Sequence, residues 1–276
     1  MKHGVLVIKS EVNGAMFKAV RSAMSQANGI DDLYIILETP GGDQTYAYRT
    51  MTYLDSIQGN KPIYAVIPNY AMSAGTLMVL GADKIYMRPE SCIGPLDPQR
   101  QHFDDDSMIS TLDIRDSIST ISAQAAVAMM NMFAQDIHVG LSKTAAINLA
   151  SDTVTKLLSP LVAKIDPYHL NESVRISELN LQYGTRLLSS RMLKDDVKRA
   201  SQISSRLTNG YPYHGYAIVM SEADEIGLSV NNIASINDWT NINTVYSQLA
   251  NRPNGGIIYS EIQYRQKNNK NNREAS

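Results

Sequence analysis

A small hydroxyl, Ser73, stands in the run AMSAGT (Ala71 to Thr76), where an apolar segment from Pro62 to Pro68 gives way to a helix-like one. A strand-to-helix turn of this kind can expose a nucleophile and aim the first helical N–H groups at a developing oxyanion. Serine is also a common helix N-cap, so a purely structural role competes with the chemical one. A second feature, Gly41-Gly42 within TPGGD (Thr39 to Asp43), follows another apolar run. Without a Cβ its backbone can approach a substrate closely, although a glycine pair alone also serves as a tight connection.

The elements that must position these residues are legible as alternating periods. His3 to Ile8, Leu33 to Leu37, Ile63 to Ile67 and Lys84 to Met87 are short apolar runs, as expected of strands covered on both faces. Between the first two lies a helical segment with Met16, Val20 and Met24 in phase and Asn28-Gly29 as its stop. Asp43 to Ile57 also reads as helix, so strand and helix alternate as repeated βαβ units around a mainly parallel sheet. In such sheets sites form beyond the carboxyl ends of the strands, where both Gly41-Gly42 and Ser73 fall.

After Gln99 the pattern changes. Ser117 to Ile137, Ser142 to Leu158 and Asn171 to Leu207 are helix-like, with Pro160 and Pro167 as breaks. Tyr216 to Val219 reads as a last short strand, SEADEIGL (Ser221 to Leu228) as a short helix, and Asn237 to Leu249 as a further helix. The expected organisation is one α/β domain over 1–250 with a helical insertion at about 107–207. A tail over 251–276 follows, polar and disordered from about 265.

Bulk composition narrows the function classes. The 276 residues are 43% apolar and 19% charged, an ordinary globular profile with room for a sizeable core. A net charge of -2 gives no electrostatic footprint for nucleic acid. Cys92 is the sole cysteine, which excludes an intramolecular disulfide and a multi-cysteine zinc site and argues for a reducing compartment or indifference to redox. The apolar start, MKHGVLVIK, is too short for a signal segment or a spanning helix, and no later run is long enough. A cytoplasmic chain without a transmembrane segment is the expectation.

TPGGD, AMSAGT, GADKIYM (Gly81 to Met87) and SEADEIGL follow one another in the order found in the Clp-protease/crotonase superfamily. With PNYAMSAGT and GPLDPQ (Gly94 to Gln99), the chain most resembles the serine dehydrogenase proteinase family, related to signal peptide peptidase A. The matching segments cover Leu33 to Gln99 and Tyr213 to Leu228. The resemblance implies a Clp/crotonase-like fold and a serine peptidase. Ser73 would be the nucleophile, the backbone N–H groups of Gly42 and Ala74 would form the oxyanion hole, and a peptide or protein would be the substrate. It also implies self-assembly into a homo-oligomer, and neither a metal nor another cofactor.

The general base departs from the pattern. In the Clp proteolytic subunit a His ends the strand after the nucleophile, and here that stretch is Gly94-Pro95-Leu96-Asp97-Pro98. Where the proteinase family has His-Asp before the last short helix, this chain has His214-Gly215. His214 is the favoured base, since an imidazole pKa of about 6.5 suits proton transfer at neutral pH. Asp97 would orient it or the substrate; the bland readings are a loop histidine packed among tyrosines and a turn aspartate. A Ser–Lys dyad is the other solution, with Lys143 first and Lys156 and Lys164 behind it. An inactive Clp-like scaffold and a crotonase-like acyl-CoA enzyme are the alternatives to a peptidase.

Remaining features have plainer readings. His102 with Asp104, Asp105 and Asp106 is a solvated acidic loop before it is a cation site. His138 and His169 lack metal-ligand spacing. The methionine-rich Ala126 to Phe133 reads as a packing or subunit contact, and Tyr46, Tyr48 and Tyr53 as groove or interface residues.

Overall fold

Strict alternation along four apolar strands gives the molecule two separately packed faces. The computed structural model describes residues 1–97, 99–101, 108–163, 167–250, 252 and 255–263. In chain order its elements are β1 (Lys2–Lys9), α1 (Gly14–Met24), β2 (Asp32–Glu38), α2 (Gln44–Gln58), β3 (Ile63–Ile67), β4 (Tyr70–Ala71), α3 (Ala74–Val79), β5 (Lys84–Met87), β6 (Cys92–Ile93), β7 (Gln99–Gln101) and β8 (Met108–Ser110). They continue with α4 (Thr111–His138), α5 (Lys143–Val162), α6 (Pro167–Ser190), α7 (Val197–Asn209), β9 (Ile218–Val219), α8 (Met220–Glu225), β10 (Val230–Asn232), α9 (Trp239–Ala250) and β11 (Gly256–Gln263).

The chain divides into two compact units, Met1–Leu96 with Asn180–Ser276, and Asp97–Leu179. The first is built on a six-stranded sheet in the order β10-β5-β3-β2-β1-β11, parallel except for β11. Leu6, Ile8, Leu33, Ile35, Leu37, Ile63 and Ile85 project to one side, against α1, α2, α3 and α7. Val5, Val7, Tyr34, Ile36 and Val66 project to the other, against Ile242, Val245, Tyr246 and Leu249 of α9. The period of two along each strand dictates this split, and both faces are dry because helices cover them.

Asparagine and aspartate start the first two helices as their types suggest. Asn13 accepts from the N–H groups of Ala15 and Met16, and Asp43 from those of Thr45 and Tyr46. The Asp43 of TPGGD is thus occupied as a helix cap. A second, small sheet, β4-β6-β9, lies beside the carboxyl ends of the large one, joined to it by a bridge between Thr39 and Ala71.

The second unit holds the β7–β8 hairpin and the antiparallel helices α4 and α5, with the opening turns of α6. From sequence an insertion over about 107–207 is expected, whereas this unit spans 97–179. The difference has a packing cause: Leu187, Leu188, Ala200, Ile203 and Leu207 of α6 and α7 are buried in the core of the first unit. Pro160 does not break α5 but sits inside its last turn, and Pro167 opens α6, where a missing N–H costs nothing. Gly256–Gln263, expected to belong to a tail, pairs along its whole length with β1. The acidic loop His102 to Asp106, Lys164 and the chain from 264 onward lie outside the described residues.

Candidate active site

Ser73 occupies the position before the first residue of α3 but does not cap the helix. Its side chain makes no capping hydrogen bond, and its backbone has φ 50° and ψ -114°. A positive φ in a residue with a Cβ is strained by about 1–3 kcal/mol and persists only where the surroundings over-determine it. Those surroundings are visible. Gly75 N–H donates to Met72 O at 2.7 Å and Leu77 N–H to Ser73 O at 3.1 Å, closing a tight turn around the serine. Thr76, fully buried, holds the turn from within: its hydroxyl oxygen lies 2.8 Å from the carbonyl oxygens of both Ala71 and Gly94 and accepts from Gly94 N–H at 3.0 Å. Nothing in sequence singled out Thr76 beyond its membership of AMSAGT.

The glycine pair is bolted to this turn. Met72 N–H donates to Thr39 O at 3.0 Å, Thr39 N–H to Tyr70 O at 3.2 Å, and Gly41 N–H to Thr39 Oγ1 at 3.1 Å. From the other side Val12 N–H donates to Gly41 O and Asp43 N–H to Val12 O. Both glycines have positive φ, 108° and 137°. A Cβ on Gly41 would stand 2.8 Å from Met72 O and 2.9 Å from Ser73 Cβ, and one on Gly42 would stand 2.2 Å from Val12 O. These positions accept only glycine, and the approach they permit sets the peptide beside the serine. Among the described residues, neither Gly42 N–H nor Ala74 N–H has a hydrogen-bond partner. Two free donors flanking an uncommitted hydroxyl are the elements of an acyl-transfer site.

His214 is half-buried in the largely exposed loop between α7 and β9. In the small sheet Ala71 pairs with Ile93, and Ile93 with Ile218, β4 and β6 running parallel and β9 antiparallel to them. The chain leaving β4 toward Ser73 and the chain entering β9 from His214 therefore meet the same end of this sheet. They are two strands apart, roughly 10 Å at the usual strand spacing. Asp97 is buried and begins the second unit. Lys143 and Lys156, on α5, are exposed, and Lys156 pairs with Asp152. A lysine base has to be desolvated to lose its proton, and neither is desolvated within this chain.

Other reactive groups are set aside by their surroundings. Burial raises the Cys92 thiol above its ordinary value, which keeps it protonated. Among the described residues no three metal-ligating side chains come together, and no helix is long and apolar enough to cross a membrane. An open cleft of about 540 Å³ between α7 and α8, lined by Lys198, Arg199, Arg206 and Glu225 among others, includes none of the candidate site residues. Tyr48 stacks on Tyr183 at 4.2 Å, and Tyr46 and Tyr53 pack with Phe17, so these tyrosines are engaged within the first unit.

The parallel sheet, the glycine loop and the strained serine turn define a ClpP-like α/β protein. A family model for ClpP-like SDH-type serine proteinases matches residues 6–166, and the chain belongs to that family. An uncharacterized protein of Methanocaldococcus jannaschii is 26% identical over 226 residues, which is 81% of this chain and 60% of that protein. A second uncharacterized protein of the same organism is 23% identical over 197 residues, 71% of this chain and 51% of its own length. The chain thus spans between half and three-fifths of these curated relatives. Among solved structures, the membrane-bound stomatin-specific protease 1510-N, as a serine-to-alanine variant, is similar at 16% identity and a TM-score of 0.47, covering 83% of this chain and 77% of that one. Its lysine-to-alanine variant in complex with a substrate peptide gives the same identity and TM-score, covering 83% and 73%.

Proposed function

We propose that this chain is a serine peptidase acting on peptides or proteins through Ser73. The observation that carries the reading is the backbone of Ser73 itself: a positive φ, with a hydroxyl that caps nothing, is a strained arrangement without structural return. In the reaction Ser73 Oγ attacks the peptide carbonyl while its proton passes to His214. Gly42 and Ala74 N–H groups bind the oxyanion that forms on the carbonyl oxygen. Collapse breaks the C–N bond, the departing amine takes the proton from His214, and water, deprotonated by the same imidazole, releases the acyl group. Asp97 is assigned to orienting His214 or the substrate. The site's position beyond the strands' carboxyl ends and the family membership support this assignment; the exposure of Lys143 favours His214 over a lysine.

The same reading includes a cytoplasmic setting, supported by the lone Cys92. It also includes a homo-oligomer, supported by large apolar side chains exposed on α4 and α5, among them Val127, Met130, Leu157 and Leu161. Helices α4 and α5 are then the assembly element, and the sheet unit carries the nucleophile, the oxyanion donors and His214. A fluorophosphonate probe tests the core of the proposal. Labelling of the parent chain that disappears in Ser73→Ala is expected, with His214→Ala losing about 10²–10⁴-fold in labelling rate, the range for general-base removal. Full labelling in His214→Ala would remove the histidine from its role. No labelling of any assembled form would favour an inactive scaffold, and thioester turnover surviving Ser73→Ala would favour the acyl-CoA reading.

A further inference from the structure

Behind the glycine loop, on the face of the sheet opposite α3, lies a polar cluster, buried at Glu38 and Tyr246 and open to solvent at Asn69, that the reaction above does not use. Glu38 is the last residue of β2 and directly precedes Thr39, while Asn69 directly precedes Tyr70 of β4. Glu38 Oε2 accepts from Tyr246 Oη of α9 and, at 3.1 Å, from Asn69 Nδ2, which also lies 3.2 Å from Tyr246 Oη. Lys9 Nζ stands 3.3 Å from Glu38 Oε1 and donates to Ala250 O. Asn69 is further fixed by its carbonyl, which accepts from Cys92 N–H of β6 at 3.0 Å. Glu38 and Tyr246 are both more than nine-tenths buried.

Placing a carboxylate there is unfavourable unless it is fully hydrogen-bonded and paired, and an apolar side chain would fill the same volume without that penalty. The location gives the group a use. Thr39 and Tyr70, the two residues immediately beyond Glu38 and Asn69, begin the backbone ladder that holds the glycine loop to the serine turn. One carboxylate oxygen therefore ties the strand carrying Gly42 to the segment carrying Ser73 and Ala74, at the root of both.

We propose that Glu38, through Asn69 and Tyr246, is a positioning residue that sets the separation of the Gly42 and Ala74 N–H donors. The inference rests on the serine peptidase reading and adds to it a residue that does not touch substrate. Loss of the tie leaves ground-state binding in place and misplaces donors needed only when the oxyanion forms. The full chain is assayed with p-nitrophenyl acetate, with active sites counted by fluorophosphonate labelling. Glu38→Ala is expected to lose roughly 30-fold in kcat per labelled serine with KM within about twofold, since ångström-scale misplacement costs up to about 100-fold. Glu38→Gln recovers to within about threefold, because an amide oxygen still accepts from Tyr246 and Asn69. Tyr246→Phe falls between the two.

A merely structural role would lower the number of labelled sites and leave kcat per site unchanged. That result, a loss confined to KM, or Glu38→Gln as impaired as Glu38→Ala would overturn the inference alone. A parent chain that is not labelled at Ser73 would remove the peptidase reading first.

Discussion

Gly41→Ala is the sharpest single perturbation of this site, since its consequences can be worked from two distances. The new Cβ would stand 2.8 Å from Met72 O and 2.9 Å from Ser73 Cβ. Ordinary contact requires the loop to retreat by about 0.5 Å from the serine turn. Holding alanine at a φ of 108° adds about 1–3 kcal/mol of strain. The strain and the overlap together are expected to lower unfolding stability by about 2–3 kcal/mol. Because a 1 Å error in a reacting geometry costs about 100-fold, half that displacement predicts a fall in kcat of about ten- to thirtyfold.

Gly29→Ala supplies the control. Its φ is 64°, but no atom lies within 4 Å of the added Cβ, so it shares the strain without the overlap. Denaturant melts and p-nitrophenyl ester hydrolysis, run on both variants, separate the two contributions. Gly29→Ala should lose about 1 kcal/mol and retain parental kcat. If Gly41→Ala also keeps parental kcat per folded molecule, the glycine loop does not supply the oxyanion donor and the site has been drawn wrongly.

Three further outcomes follow from the same geometry. Ser73→Gly is expected to be inactive yet more stable than the equally inactive Ser73→Ala by about 1 kcal/mol in thermal melts, as glycine relieves the positive φ at some entropic cost. Equal melting of the two would mean that the turn is unstrained. Thr76→Val leaves Gly94 N–H buried without its acceptor and should cost about 1–3 kcal/mol in urea unfolding. Burial raises the phenols of Tyr34 and Tyr246 above their ordinary value, with Asp32 adding to the first and the Glu38 hydrogen bond to the second. The stability they confer is complete below the unfolded value of about pH 10 and is lost as pH rises beyond it. Absorbance of tyrosinate from these residues should therefore appear together with loss of far-UV dichroism; smooth ionisation without unfolding would contradict their burial.

The parallel sheet was legible because each of β1, β2, β3 and β5 is an uninterrupted apolar run. The strand-to-helix turn at Ser73 was legible because small residues crowd it. The two-residue strands β4 and β6 carry no period of their own and exist only through the Thr39–Ala71 bridge and the pairing of β6 with β9. The break between α6 and α7 has neither proline nor glycine; it is made by Asp195 at a φ of 68° and by Asp196 capping Arg199 N–H. Strand β11, GIIYSEIQ, does not alternate cleanly, its neighbours in sequence are polar, and its partner β1 is far away in sequence. Glu38 and Asn69 were hidden for a related reason: a carboxylate ending an apolar strand looks like a solvated strand end until α9 is seen to close over it. The end of the small sheet that the segment from His214 reaches is set by pairings among β4, β6 and β9 that no local window contains.

The pairing of Lys2 with Gln263 and of Lys9 with Gly256 has a consequence for how the chain is made. β1 is an interior strand of the finished sheet, and one of its two neighbours, β11, is synthesised only after every other strand of that sheet. Until residue 263 emerges, β1 keeps an open edge of eight residues. The 97–179 unit, made of one continuous stretch, is under no such constraint and can complete its α4–α5 packing while the sheet unit waits. Nascent chains halted before β11 should expose an unpaired apolar edge, and chaperones that recognise extended apolar strands would find it there.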